Sequence, residues 1–287
     1  MLKYLTTWSN LPIPTNENFD YYINLFDRYY NSKQLLKILQ EDITQFTTVD
    51  LLKKHTAALI ETVITDIKSK PRFSEFLSKK KHKSPTFGKF YTEKNNLKIF
   101  ISIDIRTANF TLMRNFDPTF FDDKPTWPEY LSKYTTSNFI KQSKPIREFI
   151  FGKLQINFES ICSETMSHIF TELSTLSSLK TLSLTHRSHD EIIYETTEPP
   201  PYELKSYLEK NYPNMFHIKT FQLLQLGKKP FYVKEYSTGT TEFKCTPKKF
   251  LCQAIRYYQK DPPGTLDLKF TDEQQTATYD HPLNFDS

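Results

Sequence analysis

Cysteine, glycine and long apolar runs are all scarce in this sequence of 287 residues, which has three Cys and five Gly. Cys162, Cys245 and Cys252 form no CxxC pair, which argues against a disulfide framework and against a structural zinc site. No apolar run reaches the roughly 20 residues that cross a bilayer, and the first residues, MLKYLTTWSN, lack the apolar core of a signal peptide. We therefore expect no membrane partner and an intracellular, reducing compartment, with cytoplasm, nucleus, organelle and viral factory all open.

The charge is divided unevenly along the chain. The formal net charge is +5. Residues 261–287 contain six acidic residues and one lysine, so this tail carries −5 and residues 1–260 carry +10. A basic body with an acidic tail is compatible with a polyanionic partner, although an ordinary solvated surface explains the same charge.

The pattern of apolar residues predicts an α+β fold. Spacings of three and four indicate helices through residues 1–85, including one that starts at Thr48 and ends before Pro71. Strands and helices then alternate through residues 86–260, and FGKFYTEKNNLKIFISIDI predicts a hairpin that turns at Asn95-Asn96. The tail, residues 261–287, has low hydrophobicity and is expected either to be disordered or to lie along the surface.

Two carboxylates stand at predicted strand ends. Asp104 follows the apolar strand LKIFISI, and Asp190 lies in the turn HRSHDE between the strands TLSLTH and EIIYET. If these strands are neighbours in one sheet, the carboxylates converge, as phosphoryl transfer with two metal ions requires. Oxygen ligands favour Mg²⁺ or Mn²⁺. An aspartate that caps the next segment is the simpler interpretation of Asp104, while His186 and His189 have a zinc-like spacing but no obvious third ligand.

Two basic features accompany these carboxylates. In the predicted helix SKPIREFIFGKL, Lys144, Arg147 and Phe151 share one face, which suits a triphosphate and a base, although an amphipathic core helix gives the same spacing. The segment SKKKHKSPTFGKF is either a solvated loop or a phosphate-contacting element. Its lysines are Lys79, Lys80, Lys81, Lys83 and Lys89.

Three segments, in chain order, resemble motifs A, B and C of family A nucleic-acid polymerases: SIDIRTANF, REFIFGKL and SHDEIIYE. The third is the most specific, because His-Asp-Glu is flanked by apolar strands on both sides. The first looks equally like the reverse transcriptase version, and the second has Arg147 where the family has Lys. The resemblance covers roughly residues 95 to 195, and Asp190 comes only 38 positions after Gly152, a shorter interval than the family's fingers usually have.

The resemblance implies a palm-type nucleotidyltransferase that extends a primer from nucleoside triphosphates. Asp104 and Asp190 would hold two Mg²⁺ or Mn²⁺ ions in a two-metal mechanism, Glu191 would be an outer ligand, and His189 would orient the primer end or the hairpin. Residues 1–85 would be thumb-like, and residues 86–260 palm-like with short fingers around 126–175.

The same resemblance assigns a nucleotide-binding set, whose members are Arg147, Lys144, Phe151 and Asn109. Arg147 would contact the phosphates with support from Lys144, Phe151 would pack beside the base, and Asn109 would stand near the sugar. The partners implied are nucleic acid, nucleoside triphosphates and a protein that supplies the missing polymerase elements.

Two other classes of protein stay open on the sequence. One is a nucleic-acid-binding protein that keeps the polymerase-like fold without turnover and uses the Lys79–Lys89 segment and aromatic side chains on single strands. The other is an interaction protein built on a generic α+β sheet, which binds neither metal nor nucleic acid.

Overall fold

The computed structural model describes residues 1–9, 11–15, 17–78, 87–180, 182–272 and 275–287. The α-helices are α1 (Leu2–Ser9), α2 (Phe19–Tyr30), α3 (Ser32–Phe46), α4 (Val49–Ser69), α5 (Phe73–Leu77), α6 (Ala108–Phe116), α7 (Trp127–Leu131), α8 (Asn138–Gln142), α9 (Lys144–Lys153), α10 (Phe158–Leu173), α11 (Tyr202–Asn211) and α12 (Leu251–Gln259). The strands are β1 (Ile99–Ile105), β2 (Ser183–Arg187), β3 (Glu191–Thr196), β4 (Phe216–Gln225), β5 (Tyr232–Tyr236), β6 (Thr241–Lys244), β7 (Lys269–Asp272) and β8 (Gln275–Thr278). None of the helices in these ranges is long and apolar enough to span a membrane.

The chain forms two compact units whose segments interleave in sequence. The first unit comprises residues 1–73, 118–156 and 246–285, and the second comprises residues 74–117, 157–245 and 286–287. The division expected from the sequence, at residues 85 and 260, followed chain order instead. The segments combine in this way because α8 packs against α3, and α9 against α1 and α4, which joins residues 118–156 to the N-terminal helices.

Helix α4 shows how the first unit is specified by its sequence. The Thr48 hydroxyl accepts a hydrogen bond from the Leu51 N–H at 3.2 Å, and the helix ends two residues before Pro71, as predicted. One face of the helix is buried, with apolar side chains at three- and four-residue intervals: Leu52, Leu59, Ile60, Val63, Ile64 and Ile67.

The described part of the acidic tail up to residue 285 belongs to the first unit. Strands β7 and β8 pair antiparallel, and the Tyr279 ring stacks on Phe250 at 5.2 Å and on Phe270 at 4.4 Å between ring centroids. The Phe285 ring stacks on Tyr257 at 4.4 Å. Of the two arrangements expected for the tail, the structure therefore has the one along the surface, and stacked aromatic rings hold it there.

The second unit is built on a six-stranded antiparallel sheet of order β2-β3-β1-β4-β5-β6. Successive side chains of β1 alternate between its two faces. Ile101, Ile103 and Ile105 point to one face and are buried. Phe100, Ser102 and Asp104 point to the other. The helices together with this sheet confirm the predicted α+β class.

The segment before β1 does not form the predicted hairpin. Residues 93–95 form a short 3₁₀ helix, and Phe87 instead exchanges two backbone hydrogen bonds of 3.0 Å with Arg187 at the end of β2. The hairpin prediction was wrong because Phe90 covers the sheet rather than joining it. Its ring packs edge-on against Phe100 at 4.9 Å and lies in the same core cluster.

This covering segment depends on Gly88. Gly88 has φ of +72°, and a Cβ atom there would lie 2.5 Å from the backbone carbonyl oxygen of Thr185. We expect Gly88→Ala to lower the free energy of unfolding by about 3 kcal/mol, because left-handed backbone strain adds to a clash with a backbone atom that cannot rotate away. Urea unfolding followed by circular dichroism measures the loss.

Gly239 provides the matched control within the same unit. It has φ of +83°, but a Cβ atom there would meet no other atom of the described residues within 4 Å. Gly239→Ala should therefore show only the conformational cost, about 1 kcal/mol. Equal losses for the two variants would contradict the role given to the Thr185 contact.

Candidate functional site

The candidate site lies where β1 ends beside the turn between β2 and β3. Asp104 of β1 stands in register with Glu191 of β3, and the Ile105 N–H donates to the Asp190 carbonyl at 3.3 Å. Side chains directly opposite each other on an antiparallel pair share one face, so Asp104 and Glu191 are neighbours. The turn SHDE therefore faces the Asp104 strand within one sheet, but Glu191 rather than Asp190 is opposite Asp104.

A serine organises the turn. The Ser188 hydroxyl accepts from the N–H groups of Asp190 at 3.4 Å and Glu191 at 3.1 Å, and it donates to the Asp190 carboxylate at 2.9 Å. This short-range pattern is typical of serine in turns. His189 is exposed, with Nε2 3.6 Å from Oδ1 of Asp190. The turn thus orients the Asp190 carboxylate, and the exposed His189 ring lies beside it.

Glu191 is held from two sides. Its Oε1 accepts from the Ser102 hydroxyl at 2.6 Å and from the Lys234 ammonium at 3.0 Å. Lys234 projects from β5 and its side chain is only 3% exposed. One oxygen of Glu191 is therefore committed to an internal ion pair.

Asp104 has a perturbed carboxyl group. Burial raises its pKa from 3.8 to about 6, and the negative charge of Glu191 acts in the same direction, while the Lys219 ammonium opposes both. The Lys219 ammonium lies 4.0 Å from Oδ2 of Asp104. Perturbed carboxyl groups of this kind are enriched at functional sites, although structural ion pairs also produce them.

The donor set fits a hard cation only in part. Asp104 and Asp190 offer the carboxylate oxygens that Mg²⁺ and Mn²⁺ prefer, whereas Glu191 is paired with Lys234. Within the described ranges, no group of three or more His, Cys, Asp or Glu side chains is arranged to hold a metal ion. A cation here would take its remaining ligands from water and from substrate phosphates, as Mg²⁺ commonly does.

The two histidines of the turn segment do not form a pair. Nδ1 of His186 lies 2.6 Å from the Gly88 carbonyl oxygen, in a hydrogen bond with the covering segment. His189 is at the tip of the turn, beside Asp190. His186 thus has a structural partner, and the zinc interpretation receives no support from its geometry.

The predicted nucleotide-binding helix is α9, which belongs to the first unit, whereas Asp104 and Asp190 belong to the second. The Lys144 ammonium is exposed and lies 3.5 Å from Glu148. Arg147 is partly buried, and this burial lowers the pKa of its guanidinium. The remaining predicted residue, Asn109, is partly buried near the start of α6, in the second unit.

Phe151 is a core residue of the first unit. It is 1% exposed, and its ring packs against Trp127 at 5.2 Å and Phe121 at 6.3 Å. In this arrangement the ring is covered by protein, so it is not positioned to stack on a base. The amphipathic-core interpretation of this helix describes Phe151 better than the nucleotide-binding one.

We expect Phe151→Ala to lower the free energy of unfolding by about 3–5 kcal/mol, because it leaves a cavity among buried aromatic rings. Phe149 is two residues away on the same helix and 43% exposed, so Phe149→Ala should cost less than about 1 kcal/mol. Chemical denaturation of both variants measures the difference. Similar losses of unfolding free energy in the two variants would show that Phe151 contributes no more to the core than the exposed Phe149.

Most of the predicted lysine patch lies outside the described residues. Lys79, Lys80, Lys81 and Lys83 belong to the segment 79–86, whereas Lys89 is described and exposed. The phosphate-contacting role of this patch stays a prediction.

Sequence reasoning missed two lysines and a cavity of the second unit. Lys219 approaches Asp104, and Lys234 is paired with Glu191. A cavity of about 1010 Å³ borders β4, and His217, Lys219, Thr220, Tyr236 and Glu242 are among its lining residues. One signal was available for Lys234, namely a lysine inside the apolar strand FYVKEY.

Comparisons with known proteins give no independent assignment. A scan against protein-family models found no match, and no curated protein matches the chain significantly. The candidate function therefore rests on the residues and geometry of this site.

Proposed function

We propose that the protein is a palm-type nucleotidyltransferase, a template- or primer-dependent nucleic-acid polymerase that uses Mg²⁺ or Mn²⁺. The observation that carries the proposal is the register of β1 and β3, which brings Asp104 opposite Glu191 and directly beside the Asp190 turn. The resemblance to polymerase motifs A and C requires this juxtaposition, and two unrelated strands would show it only by coincidence.

In this proposal Asp104 and Asp190 hold the divalent cation at the end of the sheet. The cation supplies Lewis-acid stabilisation of the phosphoryl group. Glu191 keeps a negative charge beside Asp104. His189, at the exposed tip of the turn, contacts the primer end. Lys219 stands 4.0 Å from Asp104, where an ammonium favours the approach of a triphosphate.

Primer extension tests the proposal directly. Wild-type protein is incubated with a labelled primer on DNA and RNA templates, with deoxyribonucleotides or ribonucleotides, and with Mg²⁺ or Mn²⁺. Extension in at least one combination, abolished by chelation, is expected. A complete lack of extension in all combinations contradicts the proposal.

A non-catalytic nucleic-acid-binding protein is the second candidate. Two observations favour it: Glu191 is neutralised by Lys234, and Phe151 is buried rather than available to a base. This candidate predicts binding of a primer without extension, with an affinity that falls steeply as salt concentration rises, because lysine contacts to phosphates release counterions. Fluorescence anisotropy with labelled single strands at increasing salt concentration distinguishes this candidate from the interaction protein, which binds neither nucleic acid nor metal.

A further inference from the structure

The first half of β4 has a neighbouring strand on one side only. Strand β1 pairs with residues 216–222 of β4, whereas β5 pairs only with residues 221–225. The last bond on the β5 side runs from the Ser237 N–H to the Thr220 carbonyl oxygen at 2.9 Å, where the chain turns towards β6. Among the described residues, no strand therefore pairs with the outer side of residues 216–220.

The main-chain groups on that outer side follow from the alternation within a strand, since successive residues direct their N–H and C=O groups to opposite sides. Because Thr220 directs its carbonyl to Ser237, Ile218 directs both its N–H and its C=O to the same outer side. The described residues provide no hydrogen-bond partner for either group of Ile218. The Phe216 carbonyl, also on this side, accepts from Nε of Arg106 at 2.7 Å. The open part of the edge is therefore centred on Ile218.

A cavity borders this open edge. Its volume is about 1010 Å³, and Ile218 and Thr220 are among its lining residues. Residues 197–200, which follow β3, and the turn between β5 and β6 also line it, and all of these residues belong to the second unit. Ligand pockets usually measure about 300–1000 Å³, so the space beside the edge is large enough to hold a bound segment.

The side chains along the edge differ between the two faces of the sheet. His217 and Lys219 point to one face and Ile218 points to the other, and all three line the cavity. Lys219 is 40% exposed and only loosely paired, with its ammonium 4.0 Å from Asp104. Burial lowers the pKa of His217, and the positive charges of Arg106 and Lys219 act in the same direction. One face of the edge is thus electropositive, and the other offers an apolar contact.

The carboxylates among the lining residues do not cancel this positive charge. Glu242 is already paired with Lys244, at 2.6 Å. The other lining glutamate, Glu198, is matched in number by Lys205, which also lines the cavity. A negatively charged partner is therefore favoured at this edge.

A second copy of the same chain fits the edge poorly. An antiparallel pairing of two β4 edges about a two-fold axis would place Lys219 of each copy opposite His217 or Lys219 of the other. Charges of the same sign that stand directly opposite each other destabilise a pair of strands, and a lysine on an edge strand commonly prevents such self-pairing. A carboxylate in the same position is attracted instead.

We propose that the outer edge of β4 at Ile218 binds an extended acidic segment of another protein, which joins the sheet through hydrogen bonds to the Ile218 main chain. The acidic side chains of this segment lie on the face of His217 and Lys219, and its apolar side chains contact Ile218. In recognition by strand addition, main-chain bonds supply affinity and alternate side chains supply specificity. The inference is independent of the proposed function, because it involves neither a cation nor a nucleotide.

Peptide binding tests the inference without any turnover. The probe is a short, fluorescein-labelled peptide of alternating glutamate and valine, and fluorescence anisotropy follows its binding to the wild-type protein. We expect saturable binding with a Kd of roughly 1–100 µM. A peptide in which lysine replaces every glutamate should bind at least about tenfold more weakly.

Ile218→Pro is the decisive variant, because it removes the N–H at the centre of the edge without removing a hydrogen bond of the folded sheet. It should weaken binding of the glutamate–valine peptide at least about tenfold. Ile218→Val is the matched control, since it keeps the N–H and a branched apolar side chain, and its Kd should stay within about twofold of wild type. Circular dichroism and urea unfolding establish whether both variants fold.

Methylation of the peptide main chain gives the same test without any change in the protein, and it decides if Ile218→Pro fails to fold. Only every second N–H of an added strand points to β4. Two versions of the probe are therefore compared, one N-methylated on its valines and the other on its glutamates. One version should bind at least about tenfold more weakly than the unmethylated probe, and the other should stay within about twofold of it.

A lack of saturable binding, or equal binding of the glutamate and lysine peptides, overturns the inference. Equal losses for the two methylated probes also overturn it, because the peptide would then be held by its side chains rather than as an added strand. A wild-type dimer that Ile218→Pro dissociates and Ile218→Val does not, as measured by analytical ultracentrifugation, would assign the edge to a second copy of the chain. Primer extension is not a readout here, so a failure of the proposed function leaves this inference standing, and the reverse also holds.

Discussion

Asp104→Ala and Asp190→Ala are each expected to reduce the rate of primer extension by about 1000-fold or more, which corresponds to roughly 4 kcal/mol of transition-state stabilisation. Each substitution removes one of the two carboxylates that we assign to the cation. The register of β1 and β3 places both residues at the same end of the sheet, so neither can replace the other from a neighbouring position. Single-turnover extension of a labelled primer at pH 7.5, with saturating nucleotide, measures the loss.

Glu195→Ala is the matched control for these variants. Glu195 lies on β3, four residues beyond Glu191, and pairs with Lys98 at 2.9 Å on the solvent-exposed part of the sheet. It removes a carboxylate from the same strand without approaching Asp104, so the extension rate should stay within about twofold of wild type. Extension that survives both aspartate substitutions would refute the cation-binding role of the pair.

The sequence was most informative where a local pattern has a single structural solution. The start and end of α4 followed from Thr48 and Pro71, since a hydroxyl cap and a missing N–H act on their own turn of helix. The adjacency of β1 and β3 was a condition of the two-carboxylate hypothesis, and the pairing of these strands in the sheet meets that condition. The sequence could not say which carboxylate of the turn stands opposite Asp104, and the register gives Glu191.

The sequence was least informative about partners that are distant along the chain. Lys234 is 43 residues from Glu191, and its pairing depends on the order β3-β1-β4-β5, which no local pattern specifies. The covering role of Phe90 has the same origin, because alternation in FGKFY predicts a strand equally well. Phe151 is buried for a further reason: its aromatic partners, Phe121 and Trp127, come from a segment whose place beside α9 depends on tertiary packing.

Asp104→Asn is expected to make the protein more stable than wild type in the absence of divalent cations, by about 1–2 kcal/mol at pH 7.5. Burial and the charge of Glu191 raise the pKa of Asp104 from 3.8 to about 6. Below about pH 4 the carboxyl is neutral in both the folded and the unfolded chain, so the variant gains nothing. Between about pH 4 and pH 6 the unfolded chain releases a proton that the folded protein keeps, and the stability of wild type falls as the pH rises. Above pH 6 the loss is complete. The expected gain includes an allowance for solvent screening, because the side chain is 33% exposed.

Urea unfolding in the presence of a chelator, at several values between pH 4 and pH 8, measures this gain, with Glu195→Gln as the control that should show none. Adding Mg²⁺ or Mn²⁺ at pH 7.5 should then reverse the order of stability, because the cation stabilises only a folded protein that keeps the Asp104 carboxylate. At pH 5 the same addition should have little effect, since a proton competes with the cation for Asp104. If Asp104→Asn is less stable than wild type without cations, the Asp104 carboxylate stabilises the fold. It would then not be a functional group that is kept at a cost in stability. A cation effect of equal size in both proteins would place the bound ion elsewhere.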